Sequence, residues 1–449
     1  MLECLRSLKF SEWNAREILV EPFDKSGQWL FTNEDYTNWT ASPLPGILWI
    51  EGKPGSGKST LVRKLIQLLE LQKSASVPPS EEQKLETHSE PDSYNIVARF
   101  FYSFRGGPTE VGHSWMLQSL VYQIWSANAR LFYLIQQEFR LARAAANGNH
   151  ERIKWTDPVL MDVLRSLHRV DFALNVTIVL DGWDESERTG NRRGGILALL
   201  RDLVIKPPGG LCDIKILLAS RPQLELPRWF QQVQRQYYIR LEDMNAGDIA
   251  KFVGVRVKEF EQSLSNLQPI PGYDISRSST SRSRIVTEEH NKRVLTLTSI
   301  EEYINSHAEG VFIWVALVLK DISEVADKGG VSLISLLTRV KRLPRELQGK
   351  DGFYRRMIGR LEEDMGNGGS DDWKGRMMLT WAAFAFRSLT LDELGDALVD
   401  CTTFTASESQ SAEFSIADHR IQGLQRGLIS HAGGLLEVMI HHTIHLAFD

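Results

Sequence analysis

The sequence predicts an α/β fold built on a doubly wound parallel sheet with helices on both faces. Short apolar runs recur in the first half of the chain, and each is bounded by glycine, proline or polar residues, as buried strands are. Helix-patterned stretches separate these runs, and such alternation is typical of parallel sheets. The chain has 449 residues, 42% hydrophobic and 24% charged, which is enough for two to four packed domains. The strand-like runs are residues 47–50, 95–103, 176–180 and 214–219.

Composition and charge exclude several classes of protein. Fifty-two basic and fifty-seven acidic residues give a formal net charge of -5, which argues against a broad cationic surface, so we expect no nucleic acid partner. The most apolar stretch, residues 311–319, is about half of the roughly twenty residues that a membrane-spanning helix needs, so we expect no membrane partner. Three widely separated cysteines form neither a disulfide framework nor a zinc motif, and no secretory signal is visible. A cytoplasmic location is therefore expected.

The order of the patterns predicts four regions along the chain. A helical lead-in precedes the sheet domain, which carries a polar, proline-containing insert at 73–93. A helical domain follows, with a flexible polar insert at 262–292, and the chain ends in a smaller helix-plus-hairpin domain. The serine- and arginine-rich part of the second insert is either a solvated loop or a basic docking or phosphorylation segment. The four regions are 1–42, 43–241, 242–345 and 346–449.

One motif combines glycines, a lysine and a serine at fixed spacing. It reads G-x-x-x-x-G-K-S and lies between a strand pattern and a helix pattern, which is the context that a phosphate-binding loop requires. Glycines permit backbone conformations that a Cβ would block, so the loop N–H groups can point at a diphosphate. Lys58 would neutralise the β- and γ-phosphates, and the Ser59 hydroxyl would bind Mg²⁺. The motif consists of Gly52, Lys53, Pro54, Gly55, Ser56, Gly57, Lys58 and Ser59.

Two other strand ends carry charged residues. Asp181 closes the third apolar run, the usual place for the acid that holds Mg²⁺ through water. Asp184 and Glu185 lie just beyond it, and either could polarise an attacking water or merely solvate a loop. Arg221 follows the fourth run. Because the carboxyl ends of parallel strands share one edge, Arg221 could reach a γ-phosphate, or it could form a surface ion pair.

Three segments together resemble a known family. GKPGSGKST, VTIVLDGWDE and ILLASRP are similar to the NACHT branch of the signal-transducing P-loop NTPases, the STAND class. FFYSFRG, GVFIWVALVL and WAAFAFRSLTLDELGDAL resemble the core of fungal NACHT proteins with a nephrocystin-3-like nucleotide-binding region. The resemblance covers most of the chain. It implies a P-loop NTPase domain, then an all-α helical domain and a winged-helix-like domain over 346–449.

The resemblance also implies roles for single residues. Asp181 would hold Mg²⁺, and Asp184 and Glu185 would support hydrolysis. Arg221 would sense the γ-phosphate, and His441 would contact the bound diphosphate from the winged-helix-like domain. The nucleotide-binding residues would be Gly52, Lys53, Pro54, Gly55, Ser56, Gly57, Lys58, Ser59 and Thr60, with Ser59 also a metal ligand.

The function implied is a nucleotide-dependent signalling switch that binds and slowly hydrolyses ATP, in fungal non-self recognition or incompatibility. GTP is the second candidate, although no Asn-Lys-x-Asp guanine-reading motif is present. Self-association or association with other NACHT-type proteins is the implied partner interaction. Other classes stay open: an energy-coupling AAA-like ATPase, which a second arginine acting in trans would distinguish, and a non-enzymatic scaffold or regulator of full-length NACHT proteins. A P-loop kinase would need an acceptor-binding lid, and no such constellation stands out.

The extent of the chain is a separate expectation. Members of this class usually carry an effector module before the NACHT core and a repeat array behind it. This chain begins almost at the core and stops at the predicted winged helix. We therefore expect a fragment, an incorrect gene model or a reduced regulator.

Overall fold

A computed structural model describes the chain as two compact units. The first unit comprises Met1–Gly52 and Lys58–Leu241, and the second comprises Lys53–Gly57 and Glu242–Asp449. Within them, the residues whose structure is described are 1–9, 26–75, 93–103, 111–149, 152–187, 192–223, 225–267, 280–327, 332–345, 381, 389–390, 393–394, 396, 436–438 and 443–446.

A fully parallel sheet of five strands forms the centre of the first unit, in the order β2-β3-β4-β1-β5. Its register aligns Ile50 with Ala219 and Val176 with Ile214. Because the strands run in the same direction, their carboxyl ends share one edge, where β3, β4 and β1 lie side by side. The strands are β1 Gly46–Glu51, β2 Tyr94–Phe101, β3 Leu174–Asp181, β4 Cys212–Ser220 and β5 Gln236–Arg240.

The inner strands have near-continuous apolar sequences, because helices cover both faces of the sheet and leave no side of the strand in solvent. In β4, each residue from Ile216 to Ser220 is buried. β2 lies at an edge, and the Gln123 side chain pairs with its backbone. The Arg99 N–H donates to Gln123 Oε1 at 2.9 Å, and Gln123 Nε2 donates to the Arg99 carbonyl at 2.7 Å. These bonds satisfy backbone groups that an edge strand otherwise exposes.

Helices of the first unit pack through apolar residues spaced at the helical period. In α4, for example, Met116, Leu120 and Ile124 are buried at intervals of four residues. Turns of 3-10 helix occur at Gln28–Thr32, Ala129–Leu131, Ser166–Arg169 and Trp183–Glu185. The helices are α1 Leu2–Leu8, α2 Glu34–Ala41, α3 Lys58–Ala75, α4 His113–Ala127, α5 Phe132–Ala145, α6 Asp157–Arg165, α7 Arg192–Leu203 and α8 Leu226–Phe230.

The described residues between 242 and 345 are mainly helical and have their own apolar core, which includes Val253, Ile304 and Val318. An ion pair joins two of the helices: Arg339 Nε donates to the buried Asp321 at 2.7 Å. Across the described ranges of the chain, no helix is both long and apolar enough to span a lipid bilayer. The helices are α9 Leu241–Met244, α10 Ala246–Leu267, α11 Thr280–His307, α12 Phe312–Asp327 and α13 Leu333–Lys341.

Three short antiparallel strands are described near the C-terminus, in the order β6-β8-β7. β6 is Leu389–Thr390, β7 is Leu436–Val438 and β8 is Thr443–Leu446. β7 and β8 pair where the sequence predicts a hairpin. Of the helices predicted for 346–449, the described residues include only 381, 393, 394 and 396, which are helical. The rest of these helices, and with them the winged-helix assignment, lie outside the described residues.

The structure differs from the sequence prediction at three places. β5 is not predicted, because this edge strand buries only Ile239 and therefore has no apolar run. The ends of the insert predicted at 262–292 are helical, since α10 continues to Leu267 and α11 begins at Thr280. Its arginine and glutamate residues suggest solvation, but they are also strong helix formers. α3 likewise extends to Ala75, into the insert at 73–93, of which 76–92 lie outside the described residues.

Candidate phosphate-binding site

The predicted phosphate loop connects β1 to the N-terminus of α3. Two of its glycines have left-handed backbones, with φ of +72° at Gly55 and +94° at Gly57. Only glycine adopts such values readily, which explains the residue type at both positions. α3 begins at Lys58, so the N–H groups of its first turn, which have no acceptor within the helix, lie at the end of the loop. Such a terminus favours an anion.

Lys58 holds its ammonium group against the start of the loop. Its Nζ donates to the Gly52 carbonyl at 2.7 Å. The positive charge is therefore kept beside the loop rather than extended into solvent. Ser59 and Thr60 follow in the first turn of α3 and are partly exposed.

The end of β4 fixes the point where the loop leaves the sheet. The Gly52 N–H donates to the carbonyl of Ser220 at 3.1 Å, and the Trp49 indole N–H donates to the Ser220 hydroxyl at 3.0 Å. Ser220 is fully buried and lies opposite Glu51 in the register. The phosphate loop and the residue that follows Ser220 are consequently held at the same edge.

Asp181 is the last residue of β3 and is 1% exposed. Its carbonyl accepts a hydrogen bond from the Tyr102 N–H at 2.9 Å, which continues the ladder between β2 and β3 beyond Phe101. Strand pairing therefore fixes the backbone of Asp181 at the carboxyl edge. A carboxylate at the carboxyl edge of a parallel sheet is suited to a cationic ligand, since oxygen donors of this type are what Mg²⁺ prefers.

Asp184, Glu185 and Arg221 come together beyond the ends of β3 and β4. Gly182 has φ of +70° and starts the 3-10 turn that carries both acids. The Arg221 N–H donates to Asp184 Oδ1 at 2.8 Å, and Arg221 Nε lies 3.1 Å from Asp184 Oδ2. A third contact of 3.7 Å joins the guanidinium to Glu185. The sequence left two possibilities for Arg221, contact with a γ-phosphate or an ion pair. The structure has an ion pair, and its partners are Asp184 and Glu185.

An aromatic cluster anchors the same turn from inside the domain. The fully buried Trp183 lies with its ring centroid 5.8 Å from that of Tyr102 and 5.4 Å from that of His113. Tyr102 Oη and His113 Nδ1 are 3.0 Å apart, and burial lowers the pKa of His113, so this ring is neutral at pH 7. Arg193 donates to the Trp183 carbonyl at 3.1 Å. The Trp183 side chain thus fixes the turn that carries Asp184 and Glu185.

The tip of the phosphate loop, Lys53–Gly57, belongs to the second unit and packs there against the start of α12. A Cβ on Gly55 would lie 2.2 Å from Ile313 Cγ2. The Lys53 N–H donates to the Glu242 carboxylate, and the Ile313 N–H donates to the Gly55 carbonyl at 3.2 Å. One N–H and one carbonyl of the loop tip are therefore bonded to other residues of the second unit.

The donor set at the sheet edge fits a magnesium ion in its chemistry. Ser59 offers a hydroxyl and Asp181 a carboxylate, and oxygen donors of this type are what Mg²⁺ prefers. Such sites use one or two protein ligands and take the others from water and phosphate. Among the described residues there is no cluster of three or more histidine, cysteine or acidic side chains that would form a metal cage. His441 lies outside the described residues.

The sequence of this chain is similar to a known family model and to a fungal protein. Residues 25–221 match the family model described as nephrocystin 3, N-terminal, a range that includes the phosphate loop, the three acids and Arg221. Over 388 residues, 86% of this chain, the sequence is 23% identical to the vegetative incompatibility protein HET-E-1 of Podospora anserina. Both matches agree with the family resemblance that the motifs carry. It spans 24% of the length of HET-E-1.

Three solved structures align with most of this chain at low identity. Drosophila ORC bound to DNA has a TM-score of 0.36 and 11% identity, over 99% of this chain and 88% of that one. Aeropyrum pernix ORC2, in its ADPNP-ADP complexes, has a TM-score of 0.35 and 12% identity, over 98% and 93%. The Walker-type ATPase of Pyrococcus abyssi has a TM-score of 0.30 and 12% identity, over 90% and 89%.

Some residues around the site are not predicted from the sequence. Tyr102, His113 and Arg193 carry no motif, and only the fold brings them to Trp183. Asn245 and Glu242 lie far from the loop in sequence, so their contacts with it have no local signal. The sequence does place an apolar residue, Trp183, between Asp181 and Asp184, and such a residue is expected to be buried. This pattern could have indicated that the turn is anchored in the core.

Replacing Gly55 by alanine should destabilise the chain by about 1–3 kcal/mol, because the new methyl group meets Ile313 and the left-handed backbone disfavours a side chain. Gly247→Ala is the matched control, since Gly247 lies in α10 with open space around it and should gain up to about 1 kcal/mol. Urea unfolding measures both. Equal stability of the two variants would contradict the packing described here.

Arg221→Ala should lower the free energy of unfolding by about 1–2 kcal/mol, because the largely buried Asp184 loses its guanidinium partner. The loss is limited since the backbone N–H of residue 221 still donates to Asp184. Arg192→Ala removes a more exposed arginine from Glu187 and should cost less than about 0.5 kcal/mol. If both variants unfold at the same urea concentration as the wild type, the ion pair of Arg221 with Asp184 does not stabilise the fold.

Proposed function

We propose that this chain is a nucleotide-dependent switch that binds ATP, or alternatively GTP, together with Mg²⁺ and hydrolyses it slowly. The observation that carries the proposal is the joint placement of a phosphate loop, a buried acid and an acid-arginine cluster at the ends of adjacent strands. β1, β4 and β3 are neighbours in that order, so the three features face one edge. A ligand at this edge of an open parallel sheet is the general expectation.

In this proposal the loop backbone and the start of α3 bind the phosphates, with Lys58 close to the β- and γ-phosphates. Ser59 and Asp181 would hold the metal. When bound, Mg²⁺ would offset negative charge on the phosphate oxygens. Lys53, Pro54, Ser56 and Thr60 would contribute through their backbone or by closing the loop, and His441 would contact the diphosphate from the C-terminal region.

Asp184 and Glu185 are the proposed groups that orient and polarise the attacking water. Their pairing with Arg221 supports slow rather than rapid turnover, because the guanidinium contacts carboxylate oxygens that would have to accept a hydrogen bond from the water. For Arg221 to sense a γ-phosphate, its guanidinium would have to exchange these acids for the phosphate oxygens. Such an exchange would couple the number of bound phosphates to the geometry of the acids.

The switching part of the proposal concerns the four regions 1–42, 43–241, 242–345 and 346–449. Exchange of a diphosphate for a triphosphate would change how the helical and winged-helix-like regions associate with the nucleotide-binding domain, and self-association or contact with other NACHT-type proteins would follow. The name of HET-E-1 supports a role in fungal incompatibility. The site of action would be the cytoplasm.

The proposal is tested by the nucleotide that the purified protein holds. Denatured wild-type protein should release ADP or ATP, and added Mg-nucleotide should raise the melting temperature. Lys58→Ala should reduce the amount released at least tenfold, because the lysine charge is lost from the phosphate site. Phosphate release from wild-type protein should be slow and should not depend on assembly into a ring.

The matched control is Lys206→Ala, which removes a lysine that pairs with Asp213 away from the loop in the same unit. This variant should release as much nucleotide as the wild type. A wild-type protein that releases none, and whose melting temperature neither ATP nor GTP raises, would overturn the proposal in favour of a non-enzymatic scaffold. Fast, ring-dependent turnover would instead favour an energy-coupling ATPase.

A further inference from the structure

We propose that Asn245 is a positioning residue for the phosphate loop, turning one loop N–H toward the bound phosphates. Asn245 lies just before α10 and is 1% exposed. Its Nδ2 donates to the Ser56 carbonyl at 3.0 Å and to the Gly310 carbonyl at 2.8 Å. The inference rests on the proposed nucleotide-binding function and adds a residue that the loop motif does not contain.

The direction of the Ser56–Gly57 peptide follows from this bond. The peptide is trans, so its carbonyl and its N–H point to opposite sides. Asn245 holds the Ser56 carbonyl on its own side, and the Gly57 N–H is therefore turned to the other side. In a phosphate loop, the concave side lined by N–H groups is the one that meets the anion.

The Ile313 N–H holds a second loop carbonyl in the same way, since it donates to the Gly55 carbonyl. The Glu242 carboxylate instead accepts from the Lys53 N–H, so this loop N–H faces Glu242. The second Asn245 bond, to Gly310, ties this set to the start of α12, where Gly310 has φ of +78°. A Cβ at Gly310 would lie 2.7 Å from the Glu242 backbone, so these segments fit closely.

The chemistry of the side chain suits this task. A primary amide has two N–H donors, and here each meets one backbone carbonyl. Aspartate has the same shape but only acceptors when ionised, so it would place negative charge against both carbonyls. Asn245 Oδ1 is buried without a hydrogen-bond partner among the described residues, so its role lies in the two donated bonds.

The test measures the dissociation constant of MgADP for purified full-length chains by isothermal titration calorimetry. Asn245→Ala should raise the dissociation constant about tenfold, as expected for loss of one well-formed hydrogen bond in the bound geometry. Asn245→Asp should raise it further, because the carboxylate repels the Ser56 carbonyl. Asn245→Ser keeps one donor and should fall between the wild type and Asn245→Ala, and it replaces the alanine variant if that one does not fold.

Asp321→Asn is the control for a merely structural effect. It weakens a buried ion pair in the same unit, distant in sequence from the loop, and should lower the melting temperature without changing the dissociation constant. The inference is overturned if the wild type binds MgADP and the Asn245 variants bind it within twofold of the wild type. If the wild type itself binds no nucleotide, the proposed function fails instead, so the two failures are distinguishable.

Discussion

The junction at Ser220 is the interaction on which the candidate site depends. This buried residue ends β4, accepts the Gly52 N–H at its carbonyl and receives the Trp49 indole N–H at its hydroxyl. The phosphate loop therefore leaves β1 at a fixed distance from Arg221, the next residue after Ser220. Parallel pairing of β4 with β3 then places Asp181 and its following turn at the same edge. One register thus positions all the charged groups of the site.

Charged groups of the candidate site are each held by a specific neighbour. Asp184 faces the Arg221 backbone and guanidinium, while Lys58 faces the Gly52 carbonyl. The buried Trp183, in contact with Tyr102, His113 and Arg193, fixes the turn that carries the acids. Pre-arranged charges of this kind need little reorganisation when an anionic ligand arrives.

Much of this arrangement is readable from the sequence because it depends on local pattern. Apolar runs between turn residues identified four of the five parallel strands, and the loop motif requires left-handed glycines that the structure has at Gly55 and Gly57. The contacts of Asn245 and the pairing of Arg221 with both acids depend on tertiary packing, which has no local signal. β5 was not predicted because an edge strand does not need an apolar run. The helical start of α11 was not predicted because charged residues are common in both loops and helices.

Hydrogen–deuterium exchange of the wild-type chain, with and without millimolar MgADP, measures whether the loop between β1 and α3 binds nucleotide phosphates, as we propose. We expect slower exchange in peptides covering Gly52–Thr60 and in the Asp181–Glu185 turn, and no change in peptides from α5. Exchange that is unchanged in the loop peptides under these conditions would contradict this proposal.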